Sequence, residues 1–98
     1  MRCVNDIEVK LRFTSVHYGL RHQLTKTKEE LAELAEAIDE HLKKPTKRTR
    51  EHVIEEIWDV YSMIWQDASL MGVTQSEMLR WAKYKVNRQL ERIERERQ

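Results

Sequence analysis

The chain has 98 residues, with 18 Lys and Arg against 17 Asp and Glu, and a formal charge of +1. That length holds one core, hence a single domain over residues 1–98, and the charge balance gives no global pull toward nucleic acid or an anionic membrane. Charged residues make up 36% of the chain while Leu, Ile, Val and Phe number only 23, which predicts a folded protein whose thin core self-association would thicken.

Two glycines and one proline exclude a turn-rich β fold. The single cysteine, Cys3, excludes an intramolecular disulfide and a Cys-based zinc site. No apolar run approaches the roughly 18 residues that a membrane span needs. The start, Met1 to Glu8, puts charges where a secretory leader needs its apolar centre, so the expected setting is cytoplasmic, with no membrane partner.

The N-terminal segment carries two patterns. Ile7, Val9, Leu11 and Phe13 alternate as a strand would, whereas Val4, Ile7 and Leu11 fit a helix begun at Asn5 or Asp6. A lone strand would have no pairing partner in its own subunit, so a helix is expected. After Gly19, a helical pattern runs from about Leu20 to Lys44, with Leu20, Leu24, Leu31, Leu34, Ala35, Ile38 and Leu42 on one face. Pro45 ends it. A second pattern runs from about Arg50 to Met71 through Val53, Ile57, Val60, Tyr61, Ile64 and Ala68, and Gly72 is placed to end it in a left-handed conformation. A third begins at Thr74, where Thr74-x-x-Glu77 reads as a capping box, and its stripe is Met78, Leu79, Ala82, Val86, Leu90 and Ile93. The expected fold is all-α, three to four helices per chain, completed into a helical bundle by oligomerisation.

Carboxylates are distributed unevenly along these helices. Glu29, Glu30, Glu33, Glu36, Asp39 and Glu40 follow one another with no base between them. Like charges three or four apart cost a helix about 0.2–0.5 kcal/mol per pair, so such a run needs either full solvation or a cation. On the next helix, Glu56 and Asp59 lie beside the apolar stripe, as Glu30 does on its own helix with Glu33 one step further out. Two helices joined by a short loop pack antiparallel, which would bring Glu30, Glu33, Glu56 and Asp59 to one edge of their seam. Oxygen ligands without thiolate or imidazole select Mg²⁺ or Mn²⁺ over zinc. Di-iron bundles line their cores with Glu-x-x-His pairs, and here none of the four histidines has a glutamate three residues before it.

Glu29-Glu30-Leu31-Ala32-Glu33, then 22 residues, then Glu56-Ile57-Trp58-Asp59, resembles the EExxE…ExxD pattern of the MazG-like nucleotide pyrophosphohydrolases, all-α enzymes similar in core to the dimeric dUTPases. Tyr18-Gly19 with Gln23 and Lys26 is similar to that family's first block, and Lys83-x-x-x-Asn87-Arg88 to its last. The resemblance implies Mg²⁺-dependent hydrolysis of nucleoside triphosphates to the monophosphate and pyrophosphate, in a homodimer or homotetramer. It implies that Glu30, Glu33, Glu56 and Asp59 hold the metal and that Lys83, Asn87, Lys26 and Gln23 meet phosphate oxygens. Glu29 or Glu55 would orient or deprotonate the attacking water, and the sequence does not choose between them. Trp58 departs from the small residue usual before the last acidic ligand, and a subunit contact is its expected role.

A different class of function remains open at this point: a non-catalytic helical oligomerisation or interaction module whose acidic face binds a basic partner. Trp58, Trp65 and Trp81 are expected in the core or an interface, and His17 with Tyr18 reads equally as the lining of a base pocket or as a partly exposed turn pair. The basic segment Lys43 to Arg50 is expected to be a solvated loop with no stable nucleic-acid binding, and Gln89–Gln98 a helical extension into solvent or along a partner subunit.

Overall fold

Gly19 at φ 83° and Gly72 at φ 68° hold the two left-handed backbone positions that divide the chain. In the computed structural model, which describes residues 3–98, they separate helices α1 (Cys3–Tyr18), α2 (Leu20–Lys43), α3 (Lys47–Leu70) and α4 (Gln75–Glu96). Met1 and Arg2, the first residues of the charged start, lie outside the described residues. The N-terminal segment is helical, and no strand occurs among the described residues.

Gly19 is the whole connection between α1 and α2, and its N–H donates to the Ser15 carbonyl at 2.9 Å, closing α1. A side chain at that φ would be strained, so the corner depends on glycine. At the end of α3 the Val73 N–H reaches back to the Ala68 carbonyl at 2.9 Å and the Gly72 N–H to Ser69 at 3.2 Å, so Gly72 terminates the helix as the sequence indicates. The Thr74–Glu77 capping box forms, with Glu77 N–H donating to Thr74 Oγ1 at 3.1 Å.

The start of α3 differs from expectation. Lys47, Arg48 and Arg50 belong to the first turn of the helix, so the basic loop shrinks to Lys44-Pro45-Thr46. Three bases at a helix N-terminus oppose its dipole. A second capping box offsets this: Thr49 N–H donates to Thr46 Oγ1 at 3.0 Å, and Thr46 N–H to Thr49 Oγ1 at 2.9 Å. Thr49 is buried and also meets His41 Nδ1 at 2.7 Å, tying the end of α2 to the start of α3.

Helices α2 and α3 pack along their length as an antiparallel pair. His41 meets Thr49 at the loop end, and Thr27 donates to Asp67 at the far end, which fixes the register. Helix α1 lies against both, with Ser15 fully buried and Arg12 over the Trp65 ring at 5.9 Å. Helix α4 packs against no other helix, and all 22 of its residues are exposed.

The apolar stripes face inward only in part: Val60 is buried and Leu34, Val53 and Ala68 are half-buried, while most other stripe residues are exposed. The seam between α2 and α3 buries Gln23, Glu30 and Ala37 on one side and Thr49, Glu56, Val60, Met63, Gln66 and Asp67 on the other. Leu24, Leu31, Ile38, Ile57, Tyr61 and Ile64 are exposed instead, Ile64 at 52%. The physical reason is rotational. On α2 the positions 23, 27, 30, 37 and 41 share the helical period with the apolar stripe but lie on a neighbouring face that borders it at Leu34, and it is this mixed polar face that meets α3.

Candidate functional site

Glu30 and Glu56 come from facing positions on α2 and α3 and are both buried, at 7% exposure each. With Glu33, each offers a carboxylate oxygen within 4.8 Å of the others. One oxygen of each buried carboxylate, Glu30 Oε2 and Glu56 Oε2, meets no hydrogen-bond partner. A buried carboxylate oxygen without a donor is costly, and two such oxygens on facing helices repel each other.

The structure compensates for this repulsion only in part. Lys26, one turn before Glu30, pairs with it at 3.3 Å and with Glu29 at 3.5 Å. The hydrogen bond and charge of Glu30, then the charge of Glu29, hold the Lys26 ammonium more firmly protonated than usual. His52, one turn before Glu56 on α3, lies 3.5 Å from Glu56 Oε1. Two neighbours still carry the strain of crowded negative charge. Glu33 is pushed up, first by the Glu30 charge, then by desolvation and by Glu56. Asp59 is pushed up by partial burial first, then by the charges of Glu30 and Glu55.

Of the four carboxylates read as metal ligands, three converge; Asp59 stands close enough to feel Glu30 but outside the 4.8 Å group. The donor set fits a hard divalent cation: oxygen only, partly buried, with unpartnered oxygens that such an ion would satisfy. Glu29 and Glu55 are exposed at the rim of the same region, Glu29 beside Lys26 and Glu55 near Asp59. Gln23 is buried and Lys26 half-exposed, and both line a cavity of about 400 Å³ at the α1 end of the seam. Lys83 and Asn87 are not brought to the site within one chain, because α4 touches neither α2 nor α3.

Three polar residues of this region were not anticipated. Thr27 donates to Asp67, and Gln66 is buried next to it in sequence with its Oε1 unpartnered. The available signal was periodicity: 49, 56, 60, 63 and 67 repeat at helical spacing on α3, as 23, 27, 30 and 37 do on α2.

No protein-family model, curated protein or solved structure matches the chain.

Proposed function

We propose that this protein is a Mg²⁺-dependent nucleoside triphosphate pyrophosphohydrolase of the MazG-like kind, working as a homo-oligomer. The observation that carries the reading is the convergence of Glu30, Glu33 and Glu56 across the seam, with two buried oxygens lacking any partner. A generic acidic face would leave its carboxylates in water, where their repulsion costs little.

Water adds to the α-phosphorus, the bond to the α–β bridging oxygen breaks, and pyrophosphate leaves. Glu30, Glu33 and Glu56 would hold the ion, with Asp59 beside them. When bound, it neutralises phosphate oxygens and lowers the pKa of water. Lys26 lies at the rim with its charge secured by Glu30, so it can donate to phosphate oxygens at any physiological pH. Glu29, exposed and paired with Lys26, and Glu55, exposed near Asp59, are the groups that would orient or accept a proton from the attacking water.

Oligomerisation is supported by surface area. The chain exposes 8455 Å², where a folded monomer of 11.9 kDa is expected to expose about 6,000 Å². Its radius of gyration is 16.9 Å, against about 13 Å for a compact domain of this length. The excess of about 2,500 Å² per chain exceeds the roughly 800 Å² each partner gives to a standard interface and suits an obligate one. The apolar stripes of α2, α3 and α4 are its natural content. Between Met78 and Leu90, α4 carries Arg80, Lys83, Lys85 and Arg88 and no acid, which complements the acidic run on α2 of a second copy. Such a copy could bring Lys83 and Asn87 to the phosphates.

The test combines metal and product. Millimolar Mg²⁺ should raise the melting temperature, and pyrophosphate should appear from at least one member of an NTP and dNTP panel. No thermal shift together with no pyrophosphate overturns the enzyme reading.

A further inference from the structure

The cavity beside the carboxylates has a chemistry of its own. Its lining includes Tyr18, His22, Gln23, Lys26, Met63 and Gln66, and its volume of about 400 Å³ falls within the usual range for small-ligand sites. Lys26 belongs to both places, since it lines the cavity and pairs with Glu30. A nucleotide with its phosphates at the carboxylate cluster could therefore reach this cavity with its other end.

Gln66 is only 4% exposed, and its amide is oriented by its surroundings. Nε2 donates to the Ser62 carbonyl at 3.2 Å and approaches Met63 Sδ at 3.9 Å. Exchanging the amide oxygen and nitrogen would set two carbonyl oxygens against each other, so the nitrogen must face Ser62. Oε1 is then a buried acceptor with no donor. In the same lining the Tyr18 and His22 rings stack with centroids 4.8 Å apart and planes 20° apart, presenting flat aromatic surface, and Met63 supplies an apolar contact. The combination suits a planar heterocycle that carries an N–H donor.

We infer that Gln66 is a specificity-determining residue whose carbonyl accepts a hydrogen bond from the exocyclic amino group of the substrate's base, with Tyr18 and His22 as its stacking surface. This rests on the pyrophosphohydrolase reading for the identity of the ligand. One amide hydrogen goes to the Ser62 carbonyl and the other faces Met63 Sδ, so Gln66 presents its acceptor to the cavity. An amino edge, as in cytosine, satisfies it with a donor. The imide edge of uracil places carbonyl oxygens beside the donor it offers, and Gln66 has no free hydrogen for them.

dCTP and dUTP differ only at this edge and make the direct test. The native protein should favour dCTP over dUTP by about 10- to 100-fold in kcat/KM, the scale of one unsatisfied buried hydrogen-bonding group. Gln66→Leu should bring the two within a few-fold of each other, chiefly by loss on dCTP. Binding of dCMP and dUMP, followed by calorimetry or NMR, reads the same discrimination without turnover and does not depend on the Leu variant folding. Equal treatment of both nucleotides by the native protein, or a preference unchanged in Gln66→Leu, overturns the assignment of Gln66. Failure of hydrolysis with Gln66-dependent dCMP binding would instead sink the enzyme reading and leave the pocket standing.

Discussion

The inner seam of α2 and α3 and the outer faces of the same helices have exchanged the usual roles. The seam buries two glutamates, two glutamines, an aspartate and a threonine, with Ala37, Val60 and Met63 as its apolar part. The outer faces carry Leu24, Leu31, Ile38, Ile57 and Ile64, and α4 is apolar on one side without a helix to cover it. A chain with few apolar residues leaves many of them exposed in the single subunit and keeps much of its internal surface for polar groups. Such a seam has little hydrophobic stabilisation of its own, since desolvated carboxylates oppose packing. If the chain associates as proposed, association and function would be coupled, with the outer faces supplying stability that the inner seam lacks.

The coarsest way to break this division is to put a charge on the outer face. Ile64 is half-exposed in the single chain, so Ile64→Asp should leave the chain's own helices formed. In an oligomer the same carboxylate would be buried without a partner, at a cost of several kcal/mol per copy. Size-exclusion chromatography with light scattering should show the particle mass falling to that of one chain, with the helical signal retained. An unchanged oligomer would remove Ile64 from the interface.

Next in size is the seam itself. Glu56→Gln removes one of the two buried, unpartnered carboxylates while keeping its shape. Even outer-shell partners of a metal ligand are worth about 10- to 100-fold, so hydrolysis should fall by more than about 100-fold. The metal-free variant should melt higher than the native protein, because the charge facing Glu30 is gone. An activity loss accompanied by a lower metal-free melting temperature would mark Glu56 as structural rather than ligating.

A gentler probe is pH. Glu33 and Asp59 are both raised in the folded chain, Glu33 chiefly by the Glu30 charge and Asp59 chiefly by burial. Just above the ordinary carboxylate range the folded state therefore holds more protons than the unfolded state. The stability these two groups contribute is complete below their unfolded values and is lost as pH rises through their raised ones. Bound Mg²⁺ should reverse the trend, since it replaces the protons as counter-charge. The gap between melting temperatures with and without Mg²⁺ should widen from about pH 5 to about pH 7. A gap independent of pH would mean that the ion does not bind at this cluster.

How much of this was legible depended on which signal a residue carried. Helix ends were readable because Gly72 and the Thr74-x-x-Glu77 box act locally, through backbone conformations and hydrogen bonds that need no distant partner. The start of α3 was not, since Thr46-x-x-Thr49 lacks the acidic third position that marks most capping boxes and is surrounded by bases that disfavour a helix start. The meeting of Glu30, Glu33 and Glu56 followed from spacing and an antiparallel hairpin. The direction of the apolar stripes did not. Two periodic faces coexist on each helix, and hydrophobicity alone picks the more apolar one rather than the one that meets its neighbour in the chain. Gln66 and Asp67 were hidden for the same reason, being polar residues on the face that reads as solvated.

The finest comparison sets the two capping boxes against each other, because they hold helices of opposite kinds. Removing a threonine cap costs about 1 kcal/mol in either place. At Thr46 the loss falls on the seam, for Thr46 orders Thr49 and Thr49 in turn meets His41 across the hairpin. Thr46→Ala should therefore lower the melting temperature of the whole protein at any concentration. At Thr74 the box serves only α4, which leans on nothing else in its chain. Thr74→Ala should weaken the helix that a second copy must grip, so its effect should appear in the dissociation constant of the oligomer, by up to about 10-fold per helix engaged. Concentration-dependent melting of the two variants separates these outcomes. Equal shifts at every concentration would show that α4 is held within its own subunit, and the division between inner seam and outer faces would have to be redrawn.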